Sequence, residues 1–490
     1  MLRQTMEATT SDINWLSAVE LSVLFRSGEL SPCEAVAASF SRIAAVDPHL
    51  NAFCALDEER AMRDAQHSET RFSAGVPLGP LDGVPVAIKD LTPTAGLRTA
   101  MGSRLFADNI PEHDAIVVER LRAAGAIIVG KTTTSEFANA SVTDSPLTGS
   151  TCNPWDPSRS SGGSSGGSAV AVATGCVPLA EGSDMGGSVR IPACFCGVLG
   201  LKPALGRIPF ALMPSLYDPI AHHGPLARSV DDIVAFLHVT AGPDDRDPIS
   251  LPASTACDAP LASDLAGVRV AFSPDLGFLS VESDVMDNAR AATKRLEEAG
   301  AVVETVDLGL SEALYDAGYK LFSARIYQYY GHLESAHRDV LDPTLLHFFD
   351  IGRSLSAADL VDTEMMVSRE WQTMVRLFES YDVLACPTMP RTATPLGKSE
   401  FDFNGCDTEG KSITFDMTFP FNLFGRLPAL TLPSGLGQDG LPTGLQLVGR
   451  RHDERTILSL AHILHAPDIW NARLRDLGPW TNKPTDGARK

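Results

Sequence analysis

Two serine-glycine segments and one lysine carry the side chains best suited to chemistry. Ser161-Gly162-Gly163-Ser164-Ser165-Gly166-Gly167-Ser168 is followed by Gly182-Ser183-Asp184-Met185-Gly186-Gly187-Ser188-Val189-Arg190, which sets Ser164 and Ser188 in glycine-rich turns 24 residues apart. Lys89, 75 residues before Ser164, ends the apolar run Val84-Pro85-Val86-Ala87-Ile88, although the chain has only nine lysines and a hydrated ammonium ordinarily avoids such a run. A serine hydroxyl attacks a carbonyl only when a neighbouring base takes its proton. Lysine can be that base when burial disfavours its ammonium and lowers its pKa, and Val84, Val86, Ile88 and Leu91 supply apolar surroundings. The set reads as a hydrolase active site.

Other readings of the same residues are weaker. A serine-glycine run is commonly a flexible linker, but this one leads directly into Ala169-Val170-Ala171-Val172-Ala173, where glycines serve close backbone approach and positive φ. A phosphate-binding loop would need a Gly-Lys-Ser/Thr ending, which does not follow. Gly162-Gly163-Ser164-Ser165-Gly166 satisfies G-x-S-x-G, and His452, His462 and His465 could complete an esterase of the nucleophile-elbow type. An elbow needs a preceding strand, however, and Pro154-Trp155-Asp156-Pro157-Ser158-Arg159-Ser160 reads as a loop. Lys89 could alternatively form an ion pair with Asp90 or another acid.

These segments, with Asn153-Pro154-Trp155-Asp156, the block from Ile191-Pro192-Ala193 to Gly200-Leu201-Lys202-Pro203, Gly224-Pro225-Leu226-Ala227-Arg228 and the late run from Gly440 to Gly449, resemble the amidase signature family over most of the chain. The resemblance implies an α/β fold, a large mixed β-sheet core covered by helices on both faces. It implies a Ser-Ser-Lys triad in which Ser188 is the nucleophile, Ser164 a relay following a cis peptide bond, and Lys89 the base. The backbone amides of Met185, Gly186, Gly187 and Ser188 would form the oxyanion hole. Asp184 and Arg190 would hold that loop, Ser165 would add a supporting hydrogen bond, and Ala138 would line an acyl pocket and leave room in it.

The activity so implied is hydrolysis of a non-peptide carbon-nitrogen bond in a small acyl or aryl amide, extending to carbamates, with no metal or organic cofactor. The glutaminase component of a tRNA-dependent amidotransferase is the alternative. Against it, Ile191 stands where those proteins carry glutamine, and Ser215-Leu216-Tyr217-Asp218 departs from the loop that grips the glutamine α-carboxylate.

The surrounding pattern supplies the elements that must position these residues. Residues 13–46 have helical periodicity with starts at Ser17 and Ser31-Pro32. A strand over 84–88, a helix over 114–124 closed by Gly125 and a strand over 126–129 set a β-α-β rhythm. A small-residue helix over 169–174, a strand over 177–180, a helix over 284–299 and a strand over 302–306 continue it. Such alternation predicts a largely parallel or mixed sheet covered on both faces, in one domain spanning 1–490 with a signature core at about 80–230. Between about 310 and 380, Tyr315, Tyr319, Phe322, Tyr327, Tyr329, Tyr330, Phe348, Phe349 and Trp371 form an aromatic helical stretch that serves either as core or as a lid or acyl pocket.

Composition narrows the partners. At 490 residues and 44% apolar content the chain can bury a large core, and a net charge of −21 without any lysine-arginine cluster of five or more argues against nucleic acid. Nine scattered cysteines in apolar contexts suit reduced thiols of a cytoplasmic protein, and neither an export signal nor a membrane span is expected. A small-molecule amide or carbamate substrate and a monomer or homodimer are expected.

Overall fold

In the computed structural model, which describes residues 13–252 and 261–478, Ser17 and Ser31 begin helices. Each hydroxyl accepts from the backbone N–H of a glutamate in the first turn (Glu20, Glu34), and each glutamate side chain accepts from the cap backbone in return. Pro32 occupies the first turn of its helix, where no hydrogen bond is lost. The two helices, Ala18–Ser27 and Pro32–Leu50, lead into a single sheet. Cys257 and the first twelve residues lie outside the described residues.

Eleven strands form the sheet: β1 Phe53–Leu56, β2 Pro85–Lys89, β3 Ile127–Thr132, β4 Leu179–Asp184, β5 Leu199–Lys202, β6 His222–Ala227, β7 Arg269–Phe272, β8 Val302–Thr305, β9 Val383–Pro387, β10 Ala429–Leu436 and β11 Pro442–Gly449. Their order is β1-β3-β2-β4-β6-β5-β10-β11-β9-β7-β8. β2 is parallel to β3 and β4, β7 is parallel to β8 and β9, and the other pairs are antiparallel, which makes the sheet mixed, as expected.

Side chains alternate across the sheet, so each strand feeds two cores. Val86, Ile88, Ile128, Leu430, Leu432, Leu445 and Leu447 enter one core, shared with helices Ile116–Ala123, Val230–Thr240, Ser283–Glu298 and Glu454–Leu464. Their neighbours on the other face enter two. Ala87, Ile127, Val129 and Ala180 pack with helices Pro32–Leu50 and Gly166–Ala173, while Ala271, Leu384, Cys386 and Val448 pack with the aromatic helices Ala313–Tyr330 and Pro343–Ser354. Lys89 follows Ala87 by two residues and so shares this second face.

Several boundaries differ from the sequence expectation, two of them at the serine turns. β4 continues through Glu181-Gly182-Ser183-Asp184, because these polar residues pair antiparallel with His222–Pro225. The helix expected at 169 begins at Gly166: a Cβ there would lie 2.3 Å from Ser161 Oγ, and one on Gly167 would lie 2.4 Å from Thr133 Oγ1, so packing and not propensity selects glycine. The eight described cysteines are unpaired. Among the described residues no helix is long and apolar enough to cross a membrane.

Candidate active site

Lys89, fully buried at the end of β2, places Nζ 2.7 Å from Ser164 Oγ, 2.9 Å from Ser183 Oγ and 3.4 Å from the Ser183 carbonyl oxygen. It forms no ion pair among the described residues. Asp90, the adjacent acid, instead accepts from the amides of Ala100 and Gly102. Burial pushes the Lys89 pKa down to about 7, against the opposing pull of Glu181 and Asp184. Glu181, itself buried, accepts from the Lys89 backbone N–H and contacts His223 at 2.8 Å.

Ser164 follows a cis peptide bond from Gly163, just before helix Gly166–Ala173. Its bend is crowded: a Cβ on Gly163 would lie 2.3 Å from the Val142 carbonyl carbon. Thr143 fastens it, donating from Oγ1 to Gly162 O at 2.9 Å and accepting from the Gly166 amide at 2.9 Å. The Ser165 hydroxyl donates to Ser183 O at 3.2 Å, and its amide donates to Ser188 O at 3.1 Å. Ser165 thus ties the first serine turn to the second without touching Lys89.

The turn carrying Ser188 is held from beneath by Asp184. Its carboxylate accepts from the amides of Gly187 (2.8 Å) and Val189 (3.2 Å) and forms a wholly buried ion pair with Arg190 at 3.0 Å. Burial alone would raise this carboxyl, but the Arg190 charge and the Arg190 and Asn422 hydrogen bonds hold it well below the usual carboxylate range. Arg190 donates further to Gln446, Asn422 and the Thr418 carbonyl. Thr418 Oγ1 donates to Gly186 O at 2.7 Å, and a Cβ on Gly187, at φ +130, would fall 1.9 Å from Thr418 Oγ1. Because Asp184 engages the Gly187 amide, the N–H groups of Met185, Gly186 and Ser188 are those left without a protein acceptor among the described residues.

Ser188 lines a small cavity of ≈ 40 Å³. Met185, Gly186, Ala138, Tyr319, Phe322, Phe348 and Phe419 line it too, with Asn139, Ser141, Glu400 and Asp416 as its polar contribution. Ala138 and Phe137 both adopt positive φ, +58 and +50, and Phe137 stacks on Tyr330 at 4.2 Å. Within the aromatic stretch, Tyr315 and Phe349 are buried in the core, and Tyr319, Phe322 and Phe348 line the cavity. Among the described residues no hydrogen bond joins the Ser188 and Ser164 hydroxyls, and no histidine bonds to either serine. Nor is any cluster of His, Cys, Asp and Glu there placed to hold a metal ion.

Ser183, Thr418, Asn422 and Glu400 were not singled out by the sequence. A polar strand end beside a buried lysine is the one signal that could have found Ser183. The others come from chain more than 200 residues beyond Ser188.

Residues 34–458 match the family model described as Amidase. An acylamidase of Rhodococcus erythropolis is 37% identical over 484 residues, covering 98% of this chain and 99% of that one. A glutamyl-tRNA(Gln) amidotransferase component of Moorella thermoacetica is 35% identical over 498 residues, covering 95% and 99%. Among solved structures, a bacterial aryl acylamidase of the amidase signature enzymes superposes with a TM-score of 0.89 at 27% identity, over 96% of this chain and 99% of that one. A 6-aminohexanoate cyclic dimer hydrolase complexed with substrate gives 0.84 at 29% identity, over 96% and 100%.

Proposed function

The chain belongs to the amidase signature family and is an amide hydrolase acting on carbon-nitrogen bonds other than peptide bonds; from that premise we propose that it cleaves small acyl or aryl amides through an acyl-enzyme on Ser188. The observation that carries this reading is the 2.7 Å contact between Lys89 Nζ and Ser164 Oγ in a fully buried setting.

Lys89, neutral above about pH 7, takes the Ser164 proton while Ser164 takes that of Ser188, whose Oγ attacks the carbonyl carbon. A rotation of the Ser188 side chain from the cavity wall makes the second hydrogen bond of this relay, a link that commonly tightens only with substrate bound. The oxyanion forms against the amides of Met185, Gly186 and Ser188, each donor contributing about 3 kcal/mol. Gly187 belongs to the hole through its conformation, since its own N–H serves Asp184. The relay then reverses: Ser164 protonates the leaving nitrogen, the C–N bond breaks, and the amine departs. Water, deprotonated along the same path, attacks the ester on Ser188 and releases the acid.

The amidotransferase components among the relatives raise a second reading, glutamine hydrolysis for a partner enzyme. The cavity argues against it. Its described lining holds two carboxyl groups and no lysine or arginine to receive a glutamine α-carboxylate. Asp218, in the loop that departs from those proteins, is engaged by Tyr329 at 3.0 Å and Arg325 at 3.5 Å.

A panel of anilides, primary amides, carbamates and glutamine, with mass-spectrometric detection of the acid, tests the proposal. Acid release from an anilide or acyl amide, abolished in Ser188→Ala, supports it. Release from glutamine alone would establish the second reading.

A further inference from the structure

We propose that the cavity selects substrates carrying an amino group on the acyl part, received by Glu400 and Asn139. This inference rests on the reading of Ser188 as the nucleophile of that cavity.

Two polar groups of the wall lack the partners that burial demands. Asn139 is 3% exposed, and neither its amide nitrogen nor its amide oxygen has a hydrogen-bond partner. A buried amide left unpaired is destabilising, and such groups in native proteins call for a ligand or water. Glu400 is 5% exposed, and its carboxylate accepts from the Ser141 amide, at 3.4 and 3.3 Å, with no cation paired to it among the described residues. A carboxylate has about four acceptor sites, so most of its capacity is unmet.

The rest of the lining fixes the sign of the ligand. Asp416 adds a second carboxyl group, with Oδ1 already occupied by the amides of Thr418 and Phe419. No basic side chain lines the cavity among the described residues, whereas Tyr319, Phe322, Phe348 and Phe419 present ring surface. The open acceptors on Asn139 Oδ1 and Glu400, carboxyl groups without cations, and aromatic faces together match an ammonium, which has three donors, a positive charge and affinity for ring faces. A carboxylate at that position would be repelled. An alkyl end would leave Asn139 and Glu400 as they are. Burial pushes the Glu400 pKa up to about 7, so near that pH the carboxyl is about half protonated in the empty cavity, and a bound ammonium would favour its ionised form.

The experiment compares ω-aminoacyl p-nitroanilides of increasing chain length with alkanoyl p-nitroanilides of matched length, on the wild type, Glu400→Gln and Asn139→Ala. The wild type is expected to favour the amino substrate of the best length by about tenfold or more in kcat/KM, mainly through KM. Glu400→Gln is expected to bring that ratio within about threefold of one, with Asn139→Ala intermediate and Glu400→Asp partly restoring it. Turnover of the alkanoyl substrate shows that each variant is folded and competent. Hydrolysis of both series by the wild type without preference, or a preference that survives Glu400→Gln, overturns this inference and leaves the amidase reading standing. Hydrolysis of neither series, nor of any amide in the wider panel, removes the reading beneath it and the inference with it.

Discussion

Lys89 Nζ lies 2.7 Å from Ser164 Oγ with no carboxylate in ion-pair contact among the described residues, although Glu181 and Asp184 lie on the neighbouring strand. The two acids are engaged elsewhere, Glu181 with His223 and the Lys89 backbone, Asp184 with Arg190. What faces the nitrogen is hydroxyl and carbonyl oxygen, and burial is free to favour the neutral amine.

That environment fixes a pH dependence. The base must be neutral in the free enzyme, so kcat/KM for an amide should be low below about pH 7, rise through it and level off above. The limb reports an apparent value of the coupled Lys89, Ser164 and Ser188 network. Ser183→Ala removes a hydroxyl that accepts from the ammonium form, so its profile should shift toward acid. A pH–rate series on both proteins checks the position and the direction.

Asp184→Asn should destabilise the protein by about 3–5 kcal/mol, because Arg190 is left buried without its counter-charge. The Gly187 and Val189 amides also lose a charged acceptor, so kcat should fall even where the variant is folded. Thermal unfolding and single-turnover rates measure the two effects separately.

A fluorophosphonate should label the wild type on the peptide carrying Ser188, which lines the cavity, and should leave Ser188→Ala unlabelled although Ser164 remains. Adduct at Ser164 would favour an elbow mechanism. No histidine bonds to either serine among the described residues, so each histidine-to-alanine variant that stays folded should lose far less than about a thousandfold in rate.

How much of this was legible in the sequence differs from one side of the site to the other. Lys89, Ser164 and Ser188 stood out because lysine in an apolar strand and serine among glycines are each unusual locally, and the capping serines Ser17 and Ser31 announced their helices by side-chain chemistry. Ser183 escaped because the run Glu181-Gly182-Ser183-Asp184 is polar, and only its pairing with His222–Pro225 makes it strand. The involvement of the Gly187 amide with Asp184 depends on turn geometry that spacing does not encode. Glu400, Asp416 and Phe419 reach Ser188 only through the long return of the chain, and no local pattern marks a residue for a contact formed that far away.

The proton relay from Ser188 through Ser164 to Lys89 is tested most directly by the rates of Lys89→Ala on an amide and its matched ester. An amide nitrogen must be protonated to leave, whereas an alkoxide or phenolate needs that help less. The account predicts a loss on the amide deeper than that on the ester by about tenfold or more, with the alkaline-rising limb gone. Equal losses on both substrates, with the limb unchanged, would contradict it and leave Lys89 a structural support for the serines.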